Sequence, residues 1–327
     1  MIITQTPFRI SFAGGGSDLE SFYSQEPGMV LSAAIDRYMY LTVKRRYNNT
    51  FRVSYSTTEI QENVDLIQHP IVRECVKMLG VRYGLEIVSI ADLPAQSGMG
   101  SSSSFTIGLL AALYAWMGRS TSAEQLARQA CHVEIERLKE PIGRQDQYIA
   151  AYGGIQFIRF QPDGNVFVDP VICSAATKAE LSRRLMLFFT GSTRQASQVL
   201  SRQGARTEAN RPTLRQLCQI AWGMREVLTE GHDLNCFGHL LHEAWETKKA
   251  LESSISNPVI DRHYSLARDA GALGGKLLGA GNGGFLLFYC EPHHQDSVRE
   301  ALGELVEMPF GFSPQGAKVI YVGDESW

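Results

Sequence analysis

At 327 residues and a formal charge of −3, the chain has length for two domains and no whole-protein field to recruit nucleic acid or an anionic membrane. Its hydrophobic fraction of 44% and charged fraction of 20% are those of a soluble globular protein, without basic blocks or acidic tails. The cysteines at 75, 131, 173, 218, 236 and 290 form no C-x-x-C pair, which argues against a zinc knuckle or disulfide framework and for reduced thiols in the cytoplasm.

In chain order, Ile2 to Phe12 alternates and reads as a strand leading into Gly14, Gly15 and Gly16. This amino terminus lacks the charged start and apolar run of a signal peptide. Val30 to Ile35, Tyr38 to Tyr47 and Phe51 to Tyr55 read as further strands, the second rich in Tyr, Leu, Val and Thr. Pro70 to Met78 has helical spacing and Leu85 to Ala91 is extended. A glycine- and serine-rich loop, Pro94 to Ser104, precedes an apolar helix from about Phe105 to Trp116. The most apolar stretch, Ile107 to Met117, is much shorter than a membrane span.

A second helix is expected over Ala123 to Leu138, with Ser122 as its cap and Gln125 three residues on. Strand character returns at Gly154 to Phe160 and Val166 to Pro170. Cys173 to Leu181 reads as a connector, dividing 1–175 from 176–327. Beyond it come a strand at Arg184 to Thr190 and helical patterns near 195–206, 213–230, 233–252 and 258–271. Strands at Lys276 to Leu278, Phe285 to Tyr289 and Ala317 to Val322 flank a helix at 293–306. Strands and helices mixed without regular alternation predict an α+β fold rather than a doubly wound parallel sheet.

Three segments carry the chemistry. In Ser97, Gly98, Met99, Gly100, Ser101, Ser102, Ser103 and Ser104, glycines allow close approach of backbone to ligand, and the following helix offers unpaired amides with partial positive charge. Such a site suits a triphosphate, with serine hydroxyls donating to phosphate or coordinating magnesium. No Gly-Lys-Ser/Thr ending is present, so this is not a Walker A loop. The plainer reading, a flexible linker, fits poorly between a strand and a buried helix. The second segment, Gly274 to Gly284, suits ligand approach or a tight bend between strands. The third, Thr6 to Asp18, sets Arg9 and Asp18 around a strand-to-loop transition, where Asp18 serves equally well as a helix cap.

These three segments, in this order and spacing, resemble the galactokinase, homoserine kinase, mevalonate kinase and phosphomevalonate kinase (GHMP) superfamily. Pro7, Arg9, Gly14 and Asp18 keep the spacing of its opening motif, with Gly15 and Gly16 in place of the Glu-His pair of the sugar kinases. Gly98, Gly100, Ser101 and Ser102 match its ATP loop. Gly279, Ala280, Gly281, Gly283 and Gly284 match its carboxy-terminal glycine motif. The resemblance implies a two-domain fold: an amino-terminal domain like ribosomal protein S5 and a ferredoxin-like carboxy-terminal α/β domain. It also implies ATP and Mg2+ as cofactors.

By the same resemblance, Glu134 joins a serine hydroxyl of the loop, Ser102, in holding magnesium. Asp146 takes the proton from the acceptor hydroxyl or holds that hydroxyl in line, and Arg9 lies near the γ-phosphate. Glu136 is a rival ligand two positions along the helix, on a different face, and Arg144 is a secondary source of positive charge.

The wider pattern is most similar to the bacterial D-glycero-α-D-manno-heptose 7-phosphate kinases. Thr6 to Arg9, Ala13 to Asp18, Gly143 to Tyr148, Ala151 to Gly154, Thr190 to Arg194 and Leu240 to Lys249 carry that likeness. It implies phosphorylation of the C1 hydroxyl on the route to GDP-heptose, with Arg9, Gly14, Gly15, Gly16, Ser17, Asp18, Asp146 and Gly281 around the sugar. Alternatives are a kinase for fucose, a uronic acid or an N-acetylhexosamine, or a non-catalytic sugar sensor. A substrate already bearing phosphate needs a distant basic anchor, for which Arg194, Lys248, Lys249 and Lys276 are candidates. The cluster His239, His242, Glu243 and Glu246 does not match H-E-x-x-H and reads as a hydrogen-bonded helix face. The expected partners are a small sugar phosphate and ATP, with no nucleic acid and no membrane; a homodimer is left open.

Overall fold

The computed structural model describes residues 1–192, 201, 204 and 206–323. Among them the strands form two sheets. The larger has β1 (Ile2–Ala13), β2 (Gly28–Arg45), β3 (Phe51–Ser54), β4 (Thr58–Gln61), β5 (Leu85–Ala91), β6 (Ile155–Phe160) and β7 (Val166–Pro170). The smaller is antiparallel, in the order β11-β8-β10-β9, with β8 (Leu185–Phe189), β9 (Ala272–Leu277), β10 (Phe285–Cys290) and β11 (Val306–Glu307). The last strand, β12 (Lys318–Val322), crosses back to pair with β1. The division at 175/176 therefore separates the sheets except for this strand, which corrects the expected range 176–327. Among the described residues no helix is long and apolar enough to cross a membrane.

The two strands expected at 30–35 and 38–47 are one, β2. It is bulged at Asp36 and Arg37, where the register against Pro7 and Phe8 slips. Proline has no N–H to give the ladder, and the Asp36 amide turns away to Gly311 O at 2.9 Å. β2 pairs with β1 on one side; on its other side β6 takes the first part and β5 the second.

The apolar helix Ser101–Trp116 lies against β1 and is buried over most of its length. It starts four residues before the expected Phe105, because the serines make its first turn. Thr4 donates to Gly108 O at 2.9 Å and Ser104 Oγ to Pro7 O at 2.8 Å. A Cβ on Gly108 would stand 2.7 Å from Thr6 Oγ1, so glycine permits the approach. The helix thus runs opposite to β1 and brings its amino end to Arg9, whose amide donates to Met99 O at 3.1 Å.

Other expectations shift. Ser122 caps its helix as expected, accepting from the Gln125 amide at 3.1 Å. That helix is α only over Ala123–Cys131 and becomes a π-helix at His132–Arg137. The connector is itself a helix, Ala175–Arg184, capped by Ser174; only Leu181 is buried in it, so no apolar stripe announced it. The helix expected at 293–306 is shorter, Gln295–Ala301. The one expected at 195–206 falls largely outside the described residues, and Arg194 wholly so.

Two glycine loops meet backbone to backbone between the sheets. A Cβ on Gly279 would lie 2.5 Å from Gly98 Cα, and one on Gly284 would lie 2.4 Å from Ser97 O. Gly279→Ala, at φ 74°, is expected to carry the ~1–2 kcal/mol cost of that backbone conformation plus about 1–3 kcal/mol for the clash, read in urea denaturation. Gly231→Ala has the same φ of 74° but open space around its Cβ, and is expected to cost only ~1–2 kcal/mol. Equal losses would contradict the close approach.

Candidate active site

The amino end of the helix Ser101–Trp116 opens on a cleft of about 440 Å³ between the sheets. Gly100 stands at the cap with φ 77°, and no side chain caps the helix. The first-turn amides therefore keep their hydrogen-bonding capacity for a ligand, with the positive end of the helix dipole behind them. Gly98, Gly100, Ser101, Ser102 and Ser103 line the cleft, whereas Ser97 and Met99 are fully buried inside the loop.

Arg9 and Asp146 form a two-pronged ion pair on the cleft wall. Nε donates to Oδ1 and Nη2 to Oδ2, each at 2.7 Å, while Nη1 donates to Gly98 O at 2.6 Å. The planar guanidinium fits a carboxylate in this way and fixes its orientation. Asp146 sits in the first turn of the helix Gln145–Tyr152. Its side chain stays 22% exposed against 6% for Arg9, so the carboxylate is the member that faces solvent. Gly100 lies directly over the pair: a Cβ there would be 3.2 Å from Arg9 Cγ and 3.3 Å from Asp146 Oδ2.

Glu134 occupies the π-helical turn behind the serines and is fully buried. Its carboxylate accepts from Ser102 Oγ, from Ser103 Oγ at 3.0 Å and from Gln147 Nε2 at 2.8 Å. Burial pushes its pKa up to about 7 against the three hydrogen bonds, with a smaller push from Asp146. A buried carboxylate touching a serine hydroxyl is a pair of hard oxygen donors beside the uncapped first-turn amides, a donor set that suits magnesium. Glu136 points elsewhere and pairs with His132 at 2.8 Å. Arg144 lies outside the cleft lining, donating to Gly164 O at 3.1 Å and covering the Tyr23 ring at 4.9 Å.

Across the cleft, Gly15, Gly16 and Asp18 form a turn. Asp18 accepts from the Gly16 amide at 2.8 Å and the Gln145 amide at 3.2 Å. It does not cap the following short helix, whose cap position is Leu19. Burial raises the Asp18 pKa, and Asp146 adds to the rise. Gly14 and Ser17 stand behind this turn and hold it. A Cβ on Gly14 would meet Met29 O at 1.9 Å, and Ser17 Oγ donates to Gly14 O at 2.8 Å. From the second sheet Gly281 reaches the lining, and so do Lys248 and Lys276.

Lys249 points away from the cleft. It pairs with Glu246 at 2.9 Å in a separate depression beside Tyr264, which takes it out of the expected sugar site. In the histidine cluster, His242 Nδ1 meets Tyr264 Oη at 2.7 Å and Glu243 accepts from Gln216 at 3.2 Å, as for a hydrogen-bonded helix face. Sequence reasoning missed Gln147, which anchors Glu134, and Gln145, which lines the cleft. Their place around Asp146, one on each side, is the only signal they gave.

Residues 67–154 match the GHMP kinases N terminal domain and residues 220–307 the GHMP kinases C terminal. The chain is 30% identical to the D-glycero-alpha-D-manno-heptose 7-phosphate kinase of Campylobacter jejuni, over 97% of this chain and 98% of that protein. It is 28% identical to the bifunctional fucokinase/GDP-fucose pyrophosphorylase of Arabidopsis thaliana, over 93% of this chain but 31% of the longer enzyme.

In fold it is similar to a D-glycero-D-manno-heptose 1-phosphate kinase from Bacteroides thetaiotaomicron (TM-score 0.82, 24% identity, 99% of this chain and 100% of that one). The mevalonate kinase of Methanococcus jannaschii is also similar (TM-score 0.74, 17% identity, 95% and 98%). The chain belongs to the GHMP kinase family. It is accordingly a phosphotransferase with an alcohol group as acceptor and ATP as donor.

The raised Glu134 pKa has a sign that can be checked. Above its ordinary 4.5, the folded protein holds this proton more tightly than the unfolded chain. The group therefore subtracts stability as pH rises from about 4.5 to about 7, and no further beyond. In Glu134→Gln, melting temperatures measured without divalent cation should fall less across that interval than in the wild type. An unchanged slope would contradict the assignment.

Proposed function

We propose that the chain is a sugar kinase that transfers the γ-phosphoryl group of ATP to the C1 hydroxyl of D-glycero-α-D-manno-heptose 7-phosphate, giving the 1,7-bisphosphate. The observation that carries the kinase chemistry is the Arg9–Asp146 pair set beside an uncapped helix end, with 2.7 Å contacts on both prongs. The heptose phosphate is supported by the full-length likeness at 30% identity to an enzyme of that name.

In this reading the triphosphate lies on the amides of Ser101 to Ser103, and the sugar rests against Gly15, Gly16 and Asp18. Asp146 orients the acceptor hydroxyl and accepts its proton as the oxygen bonds to the γ-phosphorus. The bond from that phosphorus to the β–γ bridging oxygen breaks, and ADP leaves. Arg9 holds Asp146 in line and, with the helix amides, offsets charge on the transferring group. Magnesium, held by Ser102 and Glu134, would supply charge neutralisation for the β- and γ-phosphate oxygens.

A fucose-type acceptor is the second reading, because 31% of a bifunctional fucokinase/GDP-fucose pyrophosphorylase matches 93% of this chain. ADP release measured over heptose 7-phosphate, heptose, fucose, galactose and glucuronic acid separates the two. Heptose 7-phosphate should give the highest kcat/KM, and no turnover with it removes the substrate assignment.

Asp146→Asn is expected to lower kcat by roughly 10²–10⁴-fold while an ATP analogue still binds. Turnover at the wild-type rate would sink the role of Asp146. For Glu134→Gln the rate should need a much higher magnesium concentration to reach half its maximum; an identical titration curve would remove Glu134 as a ligand.

A further inference from the structure

Two buried cations line the cleft without a part in the chemistry above. Lys276, on β9, donates from Nζ to the carbonyls of Ser11 at 2.7 Å and Phe12 at 2.8 Å. Lys248, in the last turn of the helix Asn235–Lys249, donates to Gly279 O. They are 3% and 8% exposed, and among the described residues neither is in an ion pair with a carboxylate. An ammonium has three protons to donate. One therefore remains on Lys276 and two on Lys248, in groups that burial has already stripped of water.

Position along β1 says what these protons face. The serine-loop helix covers β1 from Arg9 back toward Thr4, through the Arg9–Met99, Ser104–Pro7 and Thr4–Gly108 contacts. Ser11 and Phe12 lie in the opposite direction. At a rise of ~3.3 Å per residue, their carbonyls stand roughly 7–10 Å beyond Arg9, away from the helix end. Lys276 is thus fixed on the far side of the Arg9–Asp146 pair from the triphosphate site. Lys248 stands between the two, on the carbonyl of Gly279, which packs against Gly98 of the loop.

From this placement we propose that Lys276 and Lys248 bind the acceptor's own phosphate and select phosphorylated over unphosphorylated sugars. The proposal rests on the kinase reading and narrows the acceptor end of that site. An acceptor whose reacting hydroxyl meets Asp146 and whose phosphate sits at the opposite end of its carbon chain spans this distance. Burial supports it: both ammonium groups are pushed down, Lys248 to about 8 and Lys276 well below its ordinary value, a penalty that a bound anion relieves. A purely structural tie between β9 and β1 would need neither a cleft-facing position nor spare protons.

The test splits acceptor recognition from chemistry. In Lys276→Met and Lys248→Met, the ratio of kcat/KM for heptose 7-phosphate to that for unphosphorylated heptose should fall roughly 100-fold or more, chiefly through KM for the phosphorylated acceptor. Lys276→Arg, which keeps the charge, should retain the preference for phosphate. Equal losses for both acceptors would assign the cations to the transferring group and overturn the proposal. So would a loss specific to glucuronic acid.

A second arm needs no turnover. With a saturating ATP analogue filling the loop, inorganic phosphate should raise the melting temperature of the wild type and have a smaller effect on both methionine variants. No protection of the wild type would count against the site. If no acceptor is turned over at all, the kinase reading fails, and this arm still decides the anion site.

Discussion

One guanidinium ties the active site together. Arg9 belongs to β1, yet its three nitrogens hold the Asp146 carboxylate at the start of one helix and the Gly98 carbonyl at the entrance to another. Moving any of the three elements breaks a short, charge-assisted contact on the wall of the cleft. Because the helix Ser101–Trp116 packs along β1 through the Gly108 gap, the same strand sets both the direction of the helix dipole and the place of the carboxylate. The arrangement is preorganised: the groups that would meet a transferring phosphoryl are already in position.

The second sheet completes the cleft by close backbone approach. Gly279 against Gly98 and Gly284 against Ser97 leave no room for side chains, so the two halves meet where the glycine- and serine-rich loop bends. Around that seam the protein keeps charges it has not fully paired. Glu134 is buried among hydroxyls and an amide, and Lys248 and Lys276 among carbonyls. Buried charge without a counter-ion lowers stability. Lys248 and Lys276 reach the cleft lining and Glu134 lies just behind it, a clustering of perturbed groups of the kind found at functional sites.

The glycine- and serine-rich loop was legible in the sequence because a loop that must run into a buried helix is a local pattern, whereas Arg9, Glu134 and Asp146 stood out only through the resemblance to GHMP kinases; the structure brings them around one cleft. The α+β class was legible from local patterns too. Tertiary decisions were not. Lys248 and Lys249 are neighbours with identical side chains, and only helix phase sends one to the cleft and the other to Glu246. The return of β12 to β1 depends on pairing between the two ends of the chain, which no local pattern encodes. The bulge that makes one strand of β2 arises from Pro7 on the neighbouring strand. The π-turn that presents Glu134 continues an ordinary helical pattern.

The most direct test of this account is a crystal structure of the protein with magnesium, a non-hydrolysable ATP analogue and heptose 7-phosphate. It should show the γ-phosphate on the amides of Ser101 to Ser103 and the C1 hydroxyl within hydrogen-bond reach of Asp146, still clamped by Arg9. A nucleotide bound away from that helix end, or an acceptor that leaves Asp146 without a hydroxyl, would contradict it.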